Sequence, residues 1–287
     1  MTSVVAFLVL ASAALHASWN ALVKGRSGDP LAASVGLSLG WLVLGAPWLL
    51  VVPLPAAVAV GPLVGSIAVH LVYFSLLVAA YRAGDLSFVY TLARGVPPML
   101  VAGGAWVVVG ERPSVLGLAG IVAIGAGVLA LYHHAGDARS GAEAVPRRRR
   151  TTLLALATAA CIAVYTLIDG VGSRASGNAI SYWLWLTVGQ GLCFSVGGLA
   201  VGGRNVAREA LVRWRTAVVA AVLSAAGYGV ALWAMTQAPI ALVAALRETS
   251  VLFAAILGAI ALREPFGPRR IAAAALVAAG AVCVRFG

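Results

Sequence analysis

Apolar residues fill the chain in long runs that short polar segments interrupt. About twenty apolar residues in helical form cross the hydrocarbon core of a bilayer, where backbone groups must be satisfied within the segment. The pattern therefore predicts an all-α integral membrane protein with ten transmembrane helices. The predicted spans are 3–23, 31–52, 61–81, 86–109, 114–132, 152–172, 179–202, 216–236, 239–262 and 268–286.

Composition agrees with a membrane location and excludes a soluble protein. Hydrophobic residues make up 62% of the 287 positions and charged residues only 10%, with a mean hydropathy of +0.99. A soluble domain carries about a quarter charged residues, because its surface faces water. The net charge of +11 comes from basic residues between apolar runs, so it does not indicate a nucleic-acid partner. The predicted surroundings are the lipid bilayer and a small-molecule solute.

Residues for enzyme chemistry are missing from the sequence. Cys161, Cys193 and Cys283 lie inside apolar runs without metal-site spacing, and no metalloprotease, nucleophile-elbow or P-loop motif occurs. The sequence therefore predicts no enzyme, no metal site and no cofactor. Two classes of function remain, a solute carrier and a non-transport membrane protein such as an assembly subunit or an unrecognised membrane enzyme.

An internal repeat divides the chain. The stretch LVAALRETSVLFAAILGAIALREPF, residues 242–266, aligns without a gap on residues 89–113, so that Arg247 falls on Arg94 and Glu264 on Glu111. Two equal Arg-to-Glu spacings in otherwise uncharged helices indicate a duplication. The predicted units are a first five-helix repeat over 1–132, a basic linker over 133–150 and a second repeat over 151–287. Because five is odd, the two repeats are inverted in the membrane.

Three segments carry a family resemblance: LHASWNALVKG (15–25), GERPSVLGLAGIVAIGAGVLAL (110–131) and REPFGPRRIAAAALVAAGAVCV (263–284). With ten spans and a duplication, the sequence resembles the drug/metabolite transporter superfamily in its ten-helix form, built from two EamA-type repeats. The resemblance implies a secondary transporter of small metabolites, often an exporter, working by alternating access between the two halves. It does not name the solute, because the superfamily carries amino acids, nucleotide sugars, drugs and other compounds.

Arg94 and Arg247 are charges placed inside apolar spans. They enter from opposite faces, and at 1.5 Å per residue each is roughly 12 Å deep in a core about 30 Å thick. A charge at that depth costs at least about 2.5–3.5 kcal/mol, so each arginine needs a partner or a wet cavity. Two interpretations stay open: a structural ion pair with Glu248 or Asp169, or contact with an anionic or zwitterionic solute such as an amino acid.

Two further features flank the arginines. Pro97 and Pro98 predict a kink that frees carbonyl groups of the preceding turn, in the first repeat only, because the matching positions in the second repeat lack proline. Glu111 and Glu264 stand before Pro-containing turns at the membrane surface, and each is predicted to cap the N-terminus of the helix that follows it.

The remaining candidates are polar and aromatic residues within the spans. Asp169 and Glu248 are candidate proton carriers, because burial disfavours the charged form of a carboxyl group. The candidate solute-binding set consists of Arg94, Arg247, Glu248, His16, Trp19, Asn20, His70, Tyr73 and Gln190.

Basic residues are distributed unequally between the two sides of the membrane. With ten spans, fifteen lysines and arginines fall in loops on one side and three on the other, while Arg94 and Arg247 lie within spans. Cytoplasmic loops carry the excess of Lys and Arg. The sequence therefore predicts a multi-pass protein of the cell inner membrane with the 133–150 linker in the cytoplasm and both termini extracytoplasmic.

A reporter that is active only in the cytoplasm tests this orientation. We expect the reporter to be inactive when it is fused after Gly287 and active when the same reporter is inserted in the 133–150 linker. Strong activity of the Gly287 fusion would contradict the predicted orientation.

Overall fold

The computed structural model describes residues 1–24, 29–83, 86–132, 144–262 and 268–287. Over these ranges the chain forms twelve α-helices and two short 3-10 turns, Ala46–Leu50 and Ala57–Ala59. The helices are α1 (Ser3–Lys24), α2 (Pro30–Gly45), α3 (Val60–Ala83), α4 (Leu86–Gly95), α5 (Pro97–Val109), α6 (Val115–Tyr132), α7 (Ala144–Ala175), α8 (Ala179–Val212), α9 (Trp214–Gln237), α10 (Ile240–Arg247), α11 (Ser250–Leu262) and α12 (Pro268–Phe286).

The predicted all-α membrane fold is confirmed. Among the described residues, seven helical stretches are long and apolar enough to cross a membrane, and two shorter apolar helices accompany them. The fourth and ninth predicted spans are each broken into two helices, α4 with α5 and α10 with α11. The break before Pro97 was predicted. The expectation that the second repeat has no break was wrong, because α10 ends at Arg247 without any proline.

Polar residues and glycine fix where several helices begin and end. Asp29 accepts a hydrogen bond from the Leu31 amide at 2.9 Å and so caps the N-terminus of α2. Asn178 caps α8 by accepting from the amides of Ile180 and Ser181. Gly110 ends α5 with φ of 71°, a left-handed conformation that glycine adopts without strain.

The bundle has two ends, because successive helices run in opposite directions. We call one the Glu111 end, which carries the α5–α6, α7–α8 and α9–α10 connections. The other is the Glu209 end, which carries the α1–α2 and α8–α9 connections. Hydrogen bonds join neighbouring segments at each end, such as Ala56 N to Ser176 O at the Glu111 end and Asp29 N to Glu209 at the Glu209 end.

The outer surface between the ends is apolar. Large side chains such as Val64, Val107 and Val196 are 59%, 85% and 61% exposed, respectively. Contiguous apolar surface of this kind is too large for a protein facing water and fits contact with lipid. The charged residues within the two broken spans, Arg94 and Arg247, instead line an interior cavity.

Helices of the first half of the chain pack against helices of the second half. Helix α1 packs against α9 and α3 against α7, while α2 packs against α8, α5 against α10 and α6 against α12. Inverted five-helix repeats related by a two-fold axis would give this pairing. The division into two repeats stays a prediction that the packing agrees with.

The connections are more helical than the sequence indicated. Residues 144–150, placed in the linker 133–150, belong to α7, and residues 133–143 lie outside the described residues. Helix α8 continues past the predicted limit of its span, with a kink at Gly203, where φ is 59° and ψ is −152°.

Helices α6 and α12 approach each other most closely at a pair of glycines. A Cβ atom at Gly120 would lie 2.7 Å from the Gly280 carbonyl oxygen, and one at Gly280 would lie 2.8 Å from the Gly120 carbonyl oxygen. Backbone atoms cannot move aside as a flexible side chain can. At Gly103 on α5, by contrast, no atom of the described chain lies within 4 Å of the place that an added Cβ atom would take.

We expect Gly120→Ala to lower the free energy of unfolding by about 1–3 kcal/mol, because the methyl group forces α6 away from α12. The matched change Gly103→Ala should be neutral or raise it by about 0.5–1 kcal/mol, since alanine is the better helix former. Thermal unfolding of the purified protein in detergent measures both. Equal effects of the two changes would show that the glycine contact is not needed.

Candidate functional site

A cavity of about 470 Å³ occupies the interior of the bundle. It runs from the ends of α4 and α10, near the midpoint of the helices, to the Glu209 end, where exposed Asp29 lines it together with Glu209 and Arg213. None of its described lining residues belongs to the Glu111 end. Eight of the nine predicted solute-binding candidates line it: His16, Trp19, Asn20, His70, Tyr73, Arg94, Gln190 and Arg247.

Glu248, the ninth candidate, lies just beyond the cavity, in a small void that also touches Arg94, Arg247, Pro97 and Pro98. This void is at the two helix breaks, which face each other because α5 packs against α10. The breaks leave backbone groups without intrahelical partners and bring charged side chains of both halves together. Irregular backbone at membrane depth is tolerated where protein surrounds it or where it lines a cavity.

Arg94 is held in place by the protein itself. Its Nη1 lies 3.6 Å from Glu248 Oε1, with side-chain exposures of 11% and 7%, and its Nη2 donates a hydrogen bond to His16 Nε2. The structural ion pair considered from the sequence is therefore present for Arg94. Glu248 Oε2 is buried without a hydrogen-bond partner, so the pair satisfies only one of the two carboxylate oxygens.

Arg247 is placed differently from its repeat mate. Within the described chain it forms no ion pair, and its buried Nε has no hydrogen-bond partner. Its guanidinium carbon lies 5.0 Å from the centre of the Tyr228 ring, a cation–π geometry worth about 0.5–2 kcal/mol. A contact with a ring face offsets only part of the free-energy cost of removing a guanidinium group from water. The described protein therefore compensates the charge of Arg247 only in part.

Asp169 is fully buried next to the cavity, on α7. Its Oδ1 accepts a hydrogen bond from the Tyr182 hydroxyl at 3.0 Å, and its Oδ2 accepts one from the Tyr228 hydroxyl. Among the described residues it forms no ion pair. Tyr228 thus connects two of the predicted residues, with its hydroxyl on Asp169 and its ring beneath Arg247.

The first-span candidates form one polar group. Both His16 ring nitrogens face donors, Nε2 facing Arg94 and Nδ1 facing Trp19 Nε1 at 3.3 Å. A neutral imidazole has only one acceptor nitrogen, so it accepts one of these two bonds at a time. Asn20 donates to the His16 carbonyl at 2.8 Å. This arrangement ties α1 to the Arg94 side of the cavity.

The third-span and seventh-span candidates line the opposite walls. His70 donates from Nδ1 to the Ser66 carbonyl at 2.9 Å, and its ring stacks on Tyr165 at 3.9 Å. Tyr73 meets the same tyrosine edge to face at 5.7 Å. Gln190 is 5% exposed, and its Nε2 has no hydrogen-bond partner. It is a second buried donor without a partner on the cavity wall.

Sequence reasoning missed most of the aromatic wall. Tyr228 was not among the candidates, yet it lies within α9 and lines the cavity, and its mid-span position was the available signal. The other missed lining aromatics are Trp41, Phe74, Tyr165 and Phe194. With Trp19 and Tyr73 they make the wall largely flat and apolar.

Glu111 caps a helix, but not the one expected. Its Oε2 accepts from the amide of Ile240 at 2.8 Å, at the start of α10 rather than α6, and its Oε1 pairs with Arg174 at 2.6 Å. The amides of a first helical turn lack intrahelical partners, so a distant helix end can recruit a carboxylate. Glu264, its repeat mate, lies outside the described residues.

Comparisons with known proteins indicate which class of protein this chain resembles. The sequence profile of the EamA-like transporter family matches residues 149–286. A solved structure, titled only as a crystal structure of a protein, superposes with a TM-score of 0.69 at 17% identity, covering 99% of this chain and 96% of that chain. At this identity the likeness shows the fold alone. None of the curated proteins compared matches the sequence.

The described chain forms a multi-pass helical bundle around a central cavity that charged residues line. This family profile covers nearly all of the second half of the chain, and the resemblance to the drug/metabolite transporter superfamily is confirmed. Members of this family are membrane transporters, and the match indicates a membrane transporter of the drug/metabolite type.

Proposed function

We propose that the protein is a secondary transporter that exports a small metabolite with an anionic group, such as an amino acid or a related anionic or zwitterionic solute. Transport would proceed by alternating access between two inverted repeats in the cell inner membrane. One observation carries the choice of solute class: Arg247 lies on the cavity wall with no carboxylate of the described chain paired to it.

Charge balance at the closed end of the cavity supports this solute class. Arg94 and Arg247 bring two positive charges to the small void at the helix breaks, and Glu248 brings one negative charge. Arg94 pairs with Glu248, whereas Arg247 has no carboxylate within ion-pair distance in the described chain. The other buried acid nearby, Asp169, accepts hydrogen bonds from tyrosine hydroxyls, so the guanidinium group of Arg247 stays open to a solute carboxylate. A guanidinium group donates two parallel hydrogen bonds to a carboxylate and remains charged when it is dehydrated.

The remainder of the cavity suits the body of such a solute. Gln190 offers a buried donor without a partner, and the ring faces of Trp19, Tyr73 and Tyr165 offer apolar contact and cation–π contact for an ammonium group. A volume of about 470 Å³ lies in the range of small-molecule sites. The cavity reaches the surface at the Glu209 end, which the basic loops place in the cytoplasm, and an exporter loads its solute there.

A binding screen with matched ligands tests the role of Arg247. Amino acids and other carboxylates should raise the melting temperature of the purified protein, whereas their uncharged primary amides should not, because only the carboxylate pairs with the guanidinium. A ligand at 100 times its Kd stabilises the folded state by about 2.7 kcal/mol. Arg247→Gln should weaken carboxylate binding more than about tenfold, equivalent to about 1.4 kcal/mol.

Arg112→Gln is the matched control. Arg112 also lies over an aromatic ring, at 5.4 Å from the centre of the Trp106 ring, but outside the cavity. Its replacement removes the same kind of contact and should leave carboxylate binding unchanged. Undiminished carboxylate binding by the Arg247→Gln protein, or equal stabilisation by the amides, would contradict the proposed solute class.

Asp169 is the stronger of the two coupling candidates. Glu248 already has Arg94 beside it, whereas Asp169 is fully buried and contacts neutral hydroxyl groups, those of Tyr182, Tyr228 and Ser66. Protonation of Asp169 removes an acceptor from one of the tyrosines. Because Tyr228 also supports Arg247, a proton on Asp169 would be felt at the solute-binding arginine. We therefore propose Asp169 as the site through which a proton gradient drives transport.

Transport by the protein in liposomes tests this coupling. Asp169→Asn should abolish solute accumulation driven by a pH gradient while solute exchange without a gradient continues, because the binding arginine is intact. Tyr228→Phe keeps the ring beneath Arg247 and removes the hydroxyl bond to Asp169, so it should keep binding and lose most of the response to pH. Gradient-driven accumulation at the normal rate by Asp169→Asn would exclude this role.

A further inference from the structure

Glu111 and Arg174 hold three helix ends together at the Glu111 end. Glu111 comes from the α5–α6 connection in the first half of the chain, and Arg174 from the last turn of α7 in the second half. Their carboxylate and guanidinium groups meet at 2.6 Å. Arg174 also donates to the carbonyl oxygens of Met235 at 2.7 Å and Ala238 at 2.9 Å.

Each of these contacts satisfies a backbone group that a helix leaves open. The Met235 carbonyl lies in the last turn of α9 and the Ala238 carbonyl just after it, and the Ile240 amide bound by Glu111 begins α10. Helix ends leave such groups without intrahelical partners, and charged side chains are their strongest substitutes. We call Glu111, Arg174 and these three backbone groups the clamp. It closes the short α9–α10 turn from both sides.

The position of the clamp relates it to solute access. The cavity reaches the surface at the opposite, Glu209 end, and none of its described lining residues comes from the Glu111 end. Alternating access requires the Glu111 end to open later in the cycle. The clamp spans the interface between the first-half connection and the second-half helices, so its contacts must break or shift when that end opens.

Helix α10 connects the clamp to the cavity. The Glu111 carboxylate binds the first residue of α10, Ile240, and the last residue is Arg247. Seven steps of 1.5 Å place these ends about 10 Å apart on one short rod. A solute that pulls on Arg247 therefore acts on the same rigid element that the clamp holds at its other end.

The ion pair of the clamp is more exposed than the ion pair of Arg94 with Glu248, as expected for a contact that opens and closes. Arg174 and Glu111 side chains are 31% and 16% exposed, against 11% and 7% for Arg94 and Glu248. Water that reaches the clamp lowers the free energy needed to separate its charges, because it solvates both of them. The central pair is less exposed, so separating its charges costs more free energy.

We propose that the clamp of Glu111 and Arg174 is the latch that keeps the Glu111 end closed while the cavity is open at the Glu209 end, and that it acts through α10 on Arg247. This inference rests on the proposed transport function. It assigns Glu111 and Arg174 as positioning residues, since neither lines the solute cavity. Breaking the latch should shift the protein toward the form that is open at the Glu111 end.

Thiol labelling beneath the clamp tests the latch without any solute. Ala244 lies on α10, one turn beyond Ile240, and borders the small void at the helix breaks. In a protein whose native cysteines are replaced by serine, Ala244→Cys reports water access to this void. A membrane-impermeant maleimide is added on the side where the Glu111 end is exposed, as fixed by the reporter fusions.

We expect slow labelling with the clamp intact. Arg174→Gln and Glu111→Ala should label about tenfold faster, as a shift of about 1.4 kcal/mol in the opening equilibrium gives. Glu111→Gln keeps an oxygen for the Ile240 amide and loses the ion pair, so its rate should lie in between. It also keeps the test decisive if Glu111→Ala fails to fold.

Arg285→Gln is the matched control for this end of the bundle. Arg285 donates to the Met1 carbonyl and to Ser3 Oγ at 2.7 Å, so it ties α12 to the start of α1 without touching α10. Its loss should leave the labelling rate unchanged. Unchanged labelling in folded Arg174→Gln and Glu111→Gln proteins, or equal acceleration by Arg285→Gln, would overturn the latch.

The outcome is independent of the proposed solute. A protein that labels as expected but does not bind carboxylates would retain the latch and lose the proposed solute class. A protein that binds carboxylates through Arg247 but labels equally in all variants would retain the solute class and lose the latch.

Discussion

The rest of the structure depends on two broken helices at the centre of the bundle. Each break leaves backbone groups unpaired at a depth where lipid offers no hydrogen bonds. The breaks are tolerable only because α5 and α10 face each other and enclose them in protein. The same enclosure admits Arg94, Arg247 and Glu248 to the interior. Charges and breaks therefore occur together, and the cavity begins where they meet.

Repeat-related residues have taken different tasks at this centre. Arg94 pairs with Glu248 and bonds His16, which fixes the first-half break to α1 and to the second half. Arg247 rests on the ring of Tyr228 and keeps a donor without a partner. A buried arginine that is fully paired holds structure, whereas one that is incompletely paired favours a ligand with the missing charge. The predicted repeat aligns the two arginines, and the surroundings of each distinguish them.

Periodicity and charge predicted the elements but not their long-range partners. The ten apolar runs followed from bilayer thickness, and Pro97 marked one helix break by its chemistry. The break after Arg247 has no such local mark, because packing between α10 and its neighbours produces it. The partner of Glu111 likewise could not be predicted from the sequence, since Ile240 lies 129 residues away along the chain. Cavity-lining residues were predicted when they were charged or polar within a span, and lining aromatic residues such as Tyr228 were missed because rings also populate the membrane interface.

The exchange of helix partners between the halves has a consequence for biogenesis. Helix α1 ends at residue 24, yet its main partner α9 begins at residue 214, and α3 likewise packs on α7 of the other half. At ~5–20 residues per second, translation leaves α1 in the bilayer for roughly 10–40 s before α9 emerges. During that interval the helices of the first half, α1 to α6, hold Arg94 in the membrane without Glu248. The nascent first half therefore depends on the insertion machinery, lipid headgroups or water to accommodate this charge until the second half arrives.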